Sequence, residues 1–192
     1  MKKIICIVFF ILFLSIGSNI FSQSKFNYEI ETPVGENYLV YPKLLGGCCV
    51  RRSVGEEPLK KGFFSYIFEY NFLNLKKAAV YYISDISIDN FDEIIISVYG
   101  DGSNNLFRIR IEDKEGEIFT SDLMKCVLNW DGEWKSVRIK KSEFSLTKWA
   151  KTNIVNKKID FPVKIKRIYV VKNFKKSESK GKIIIDDFSV IK

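Results

Sequence analysis

The 192-residue chain contains no histidine. That removes the commonest general base, every Ser-His or Cys-His nucleophile arrangement and all histidine-ligated metal sites at once. Cysteine is sparse. Of the four, Cys6 falls in the leading segment, so Cys48, Cys49 and Cys126 form an odd set rather than a disulfide framework. A vicinal pair with one distant partner also lacks the spacing of a zinc site. Two arrangements stay open: one long-range bridge from Cys126 to Cys48 or Cys49, or three unpaired buried thiols. There is no helical periodicity long enough to build βαβ units, no low-complexity tract, and no internal repeat. The apolar run Ile4 to Ile16 covers about 13 residues, short of the roughly 20 that a membrane-spanning helix needs.

That run is instead the core of an export signal. Lys2 and Lys3 supply its positive start, and Ile20 to Ser24 a region suited to signal-peptidase cleavage. The reading is a signal peptide over residues 1–23 and a protein in the periplasm, at the cell surface or secreted, with no membrane span once the leader is removed. Residues 24–61 are an N-terminal extension carrying the first strands of a β-sandwich, and residues 62–192 the body of that domain. Composition agrees: 46% hydrophobic and 15% aromatic is too apolar for a disordered chain. Formal net charge is +8, and loss of Lys2 and Lys3 leaves +6. The lysines are scattered in pairs from Lys60-Lys61 to Lys175-Lys176 rather than gathered in one stripe, which argues against a nucleic-acid partner.

Strand signals fill the rest. From Phe63 to Phe72 the aromatics Phe64, Tyr66, Phe68, Tyr70 and Phe72 alternate with Ser65, Ile67, Glu69 and Asn71. Ala78 to Ile83, Ile94 to Tyr99, Leu106 to Asp113, Glu117 to Leu123, Trp134 to Ile139, Ile165 to Val171 and Ile183 to Val190 continue the pattern. Turn residues such as Gly100-Asp101-Gly102-Ser103 and Gly116 separate them. Trp134, Val137 and Ile139 are expected on the core side of their strand. Only Ser142 to Val155 is weakly helical, as one short helix or an irregular excursion. The expected fold is all-β, a single antiparallel sandwich or jelly roll.

The chemistry-bearing residues are few. Paired carboxylates are the one catalytic route open without histidine, but Asp101, Asp113, Glu115, Glu117 and Asp131 sit at turns, where acids serve turn geometry. The Gly100 to Ser103 loop lacks the Lys-Ser/Thr ending of a phosphate loop and no helix follows it. No enzyme is expected. In the last strand, Asp186-Asp187 follows three isoleucines. A carboxylate in a sheet needs a partner, so a structural Ca²⁺ held by Asp186 or Asp187 with Glu29 or Glu31 is an expectation. Tyr66, Tyr99, Trp130, Trp134 and Trp149 are the aromatics available for stacking on sugar rings or for core packing. Arg108 and Arg110 stand opposite Phe107, Ile109 and Ile111. Two arginines two apart on a strand offer adjacent planar donors for vicinal hydroxyls or carboxylates, with Glu69 or Glu112 as alternative ion-pair partners.

In the order Phe68 to Phe72, Ile96 to Ser103, Leu106 to Asp113, Gly116 to Phe119, Trp130 to Lys135, Ile165 to Val171 and Ile183 to Phe188, the chain resembles carbohydrate-binding modules of the galactose-binding-like β-sandwich superfamily. The resemblance implies a jelly roll, often with a structural calcium near the terminal strand, and a concave sheet face that binds polysaccharide or other glycan. Its ligand-binding positions here would be Glu69, Tyr99, Arg108 and Arg110, with Trp130 as a stacking residue. The charged Asp131-Gly132-Glu133-Trp134 and the extra Ser142 to Lys158 depart from the usual pattern. A second resemblance, to outer-layer proteins of spirochaete periplasmic flagella, implies instead an envelope protein as partner and an assembly role for the same sandwich.

Overall fold

The computed structural model describes residues 25–28, 38–43, 45–54, 60, 64–84, 86–122, 126–147, 155–173 and 177–192. The signal peptide expected over residues 1–23 lies outside them. In chain order the strands are β1 (Lys25–Tyr28), β2 (Tyr38–Tyr41), β3 (Cys49–Val54), β4 (Phe64–Asn71), β5 (Ala79–Ile83), β6 (Ser87–Ile88) and β7 (Glu93–Asp101). They continue with β8 (Leu106–Glu112), β9 (Ile118–Ser121), β10 (Asp131–Lys140), β11 (Phe144–Leu146), β12 (Val163–Val171) and β13 (Lys180–Ile191). No helix among the described residues is long and apolar enough to cross a membrane.

These strands form two antiparallel sheets. The first runs β10-β7-β13-β4-β3, with β1 paired to β13; the second runs β11-β9-β8-β12-β5-β2, with β6 paired to β12. Each sheet turns the apolar half of its alternation inward. Tyr66, Phe68, Tyr70, Ile94, Ile96, Val98, Ile183 and Ile185 of the first sheet meet Val80, Tyr82, Phe107, Ile109, Ile111, Ile168 and Val170 of the second in one buried cluster. Tyr66 and Tyr82 touch across the layers with ring centroids 5.1 Å apart. Burying such side chains is the main favourable term in the fold, since truncating one core aromatic typically costs about 3–5 kcal/mol.

The structure confirms an all-β sandwich and corrects its details. The stretch read as weakly helical holds a short 3₁₀ turn over Lys141–Glu143 and then strand β11, with residues 148–154 outside the described ones. Trp134 is not a core residue. It lies an odd number of positions from the inward Val137 and Ile139, so the strand turns it out, half-buried against Tyr99 (centroids 5.5 Å, edge-on). None of the three described cysteines is in a disulfide. Cys48 and Cys49 lie at the start of β3 in the first sheet, whereas Cys126 borders β8 of the second, its carbonyl accepting the Phe107 N–H at 2.9 Å.

The Gly100 loop is structural. Asp101 accepts a very short hydrogen bond from the Tyr70 hydroxyl, which also lies 2.8 Å from Ser103 Oγ, while Asn105 Nδ2 donates to the same hydroxyl at 3.3 Å. Burial, and after it the Asp101 charge, raises the Tyr70 phenol well above its ordinary value, so it stays a donor. Gly100 lies in β7 between Tyr99, paired with Trp134, and Asp101, paired with Asp131. A β-carbon there would lie 2.3 Å from the Trp130 carbonyl oxygen and 2.4 Å from its indole ring. Gly100→Ala should therefore lower stability by about 1–3 kcal/mol, as overpacking does. Urea unfolding followed by tryptophan fluorescence measures it, and an unchanged midpoint would show that Trp130 moves aside at no cost.

Candidate binding face

Because β8 commits Phe107, Ile109 and Ile111 to the core, Arg108 and Arg110 must face out from the second sheet. Strand β12 joins them through an irregularity. Ile165 pairs with Ile111 and Arg167 with Arg110, so the two β12 residues flank a β-bulge. The bulge changes the phase of the strand. Ile165 stays in the core, while Arg167 and Tyr169 turn out and Ile168 and Val170 turn in. Tyr169 then stands opposite Arg108 on one side and Tyr81 of β5 on the other. Leu39 and Tyr41 of β2 extend the face, 43% and 54% exposed.

On this face the side chains interlock. Arg108 and Arg110 place their guanidinium carbons 5.9 and 5.4 Å from the centroid of Tyr169, and Arg167 lies 5.1 Å from that of Tyr81. Such cation–π contacts hold a guanidinium in place while leaving N–H groups directed outward. The Tyr81 and Tyr169 rings are themselves 5.2 Å apart. Arg108 donates from Nε and Nη2 to the Ser121 carbonyl at 3.2 and 2.9 Å. Arg110 and Tyr169 form the buried floor; Arg108, Arg167 and Tyr81 are half-buried above it. Burial lowers the affinity of Arg108 and Arg167 for their protons, and in both the neighbouring Arg110 charge adds to the effect. Burial likewise raises the Tyr81 phenol.

The five residues expected to bind ligand do not share one face. Glu69 and Tyr99 belong to β4 and β7 of the first sheet and point out from the opposite side of the sandwich. Glu69 is held by Arg51 at 3.1 Å. Trp130 packs partly against the core beside Gly100, with Lys135 Nζ 5.3 Å from its ring centroid. The centre of that first-sheet outer face is buried, Ile67 at 0% and Ile184 at 1% exposure. Glu112, the other expected partner, is 3.8 Å from Lys166. Alternation places Glu69, Tyr99, Arg108 and Arg110 outward on their own strands, but the strands belong to two different sheets. Arg167, Tyr169 and Tyr81 were missed, although the sequence Arg167-Ile168-Tyr169-Val170 carries the alternation that would have found them.

Two acidic groups are candidates for metal or for loop order. Asp113, Glu117 and Asp160 bring carboxylate oxygens within 4.8 Å of one another. Glu117 is fully buried and accepts backbone N–H groups from Val155, Asn156 and Lys157 at 3.1 to 3.3 Å, while Asp113 accepts those of Glu115, Glu117 and Asp160. Those donors satisfy the charges by themselves and pin the 155–160 loop over the β8–β9 turn. In β13, Asp186 accepts the N–H of Lys60 at 2.9 Å and of Asp187 at 2.6 Å, next to a bulge where Asp187 has φ +48°. The expected partners of a calcium there, Glu29 and Glu31, lie outside the described residues.

No protein-family model matches the sequence, and comparison with curated proteins finds no relative. Solved structures share the fold. A family 11 carbohydrate-binding module from Clostridium thermocellum, solved in complex with a β-1,3-1,4-mixed-linked tetrasaccharide, superposes with a TM-score of 0.56 at 17% identity, covering 87% of this chain and 95% of the module. The solution structure of CtCBM11 gives a TM-score of 0.57 at 18% identity, covering 88% and 96%. The chain therefore has the jelly-roll fold of these modules.

Glu117→Gln removes one of the two acceptor oxygens from the 155–157 amides and should cost about 1–3 kcal/mol, read as a lower urea midpoint. An unchanged midpoint would mean that solvent replaces the carboxylate at no cost. For the terminal strand, calcium is expected to raise the melting temperature of the wild type and not that of Asp186→Ala. Identical melting curves in calcium and in chelator would remove the metal.

Proposed function

We propose that this chain is an exported, non-catalytic glycan-binding module that holds polysaccharide on the outer face of its second sheet. The observation that carries the reading is the row Arg108, Arg110, Arg167, Tyr169 and Tyr81. In it Arg110 and Arg167 are direct cross-strand partners. Arg110 is buried beneath the face, so the half-buried Arg108 and Arg167 are the guanidiniums that present charge and N–H groups outward. Tyrosine edges and guanidinium forks are suited to sugar hydroxyls, and three strands set them on a rigid sheet rather than on loops. The likeness to CtCBM11 supports the same reading at the level of fold. Export rests on the leader, and the absence of a catalytic role rests on the lack of histidine and on acids that are engaged in turns and loops.

A glycan array with the leaderless protein tests it. Binding should fall at least about tenfold in Arg108→Ala, the scale of one charge-assisted hydrogen bond, and stay unchanged in Tyr99→Ala, which lies on the other sheet. Equal loss in Tyr99→Ala and none in Arg108→Ala would move the site to the first sheet. Absence of binding to every glycan would leave the sandwich an assembly module for an envelope protein.

A further inference from the structure

Resting on that reading of the face, we propose that its ligand is an acidic polysaccharide, whose carboxylate or sulfate groups are held by Arg108 and Arg167. Neutral sugars are gripped largely by laying their C–H faces on open aromatic rings, and here the rings are not open. Guanidinium groups cover Tyr169 from two arginines and Tyr81 from a third. What the face presents outward is therefore donor N–H and positive charge.

The Asp122 charge acts on Arg108 from a distance. Among the described residues no carboxylate forms an ion pair with Arg108 or Arg167. The acids nearest in the sheet stand at the margins: Glu112 lies against Lys166, and Asp122 is exposed just beyond β9. The Tyr169 hydroxyl is a further donor, buried beneath the guanidiniums with no hydrogen-bond partner. An oxyanion seated between the half-buried Arg108 and Arg167 supplies lone pairs and negative charge to two guanidiniums that form no ion pair with a described carboxylate. Carboxylate and sulfate each offer two oxygens at the spacing of a guanidinium fork.

Affinity electrophoresis of the leaderless protein at about 0.15 M salt, through gels containing polygalacturonate, dextran sulfate, mixed-linkage β-glucan or dextran, separates the alternatives. Retardation by polygalacturonate is expected if the anion is a carboxylate, and by dextran sulfate alone if it is a sulfate; either supports the inference. Arg108→Gln and Arg167→Gln should each weaken it at least about tenfold. Arg167→Lys, which keeps the charge and loses the fork, should still weaken it severalfold. A control, Lys157→Gln with Lys158→Gln, removes two exposed charges from another part of the surface and should change nothing. Equal weakening in the control would reduce the effect to net charge and overturn the inference. Retardation by β-glucan as strong as by the acidic polymers would overturn it while leaving glycan binding in place. No retardation by any polymer would sink both readings.

Discussion

Everything on the outer face of the second sheet follows from the inward commitment of Phe107, Ile109 and Ile111. A strand has a period of two, so once these three side chains enter the core the arginines between them have nowhere to go but out. The same commitment in β12 is made by Ile165, Ile168 and Val170, and it is consistent only because a bulge inserts one residue between Ile165 and Arg167. Without that extra residue Arg167 and Tyr169 would follow Ile165 into the interior. The bulge thus does two jobs: it keeps β12 apolar toward the core and brings a third guanidinium to the face.

The result is a surface whose parts oppose one another electrostatically and are held by packing. Arg110 and Arg167 repel across the strand pair, yet each guanidinium rests on a tyrosine ring, and those rings sit on the central strands of the sheet. Rigid strands, rather than loops, carry the positioning. The opposite sheet is built differently. Its outer face buries Ile67 and Ile184, and its described arginine–glutamate pairs, Arg51 with Glu69 and Arg138 with Glu93, are satisfied within the protein. The two faces are chemically distinct even though both derive from the same alternating pattern.

Elsewhere polar groups serve the scaffold. The Tyr70, Asp101, Ser103 and Asn105 network ties the end of β7 to β4, and Glu117 and Asp113 gather the amides of the 155–160 segment. In each case a buried polar atom is matched by a donor or acceptor, as buried polar atoms must be. Buried side-chain atoms of Ser53, Ser65, Trp130, Tyr169 and Ser189 depart from that rule, and of these Tyr169 lies on the arginine face.

From the sequence alone came the class of the fold, most strand positions, the outward direction of Arg108 and Arg110, and the exclusion of histidine chemistry. These are local properties: alternation is dictated by backbone geometry within a few residues, and composition needs no geometry at all. Short strands such as β2, β6 and β11 carry too few residues to show a period and were not legible. Only the tertiary structure decided which strands share a sheet, and hence that Glu69 and Tyr99 stand on one side and Arg108 and Arg110 on the other. Sheet membership depends on which distant surfaces bury each other best, and a single bulge shifts the phase of a strand. Those are long-range facts, so the meeting of Arg108, Arg110 and Arg167 with Tyr81 and Tyr169 was settled by packing between segments up to ninety residues apart.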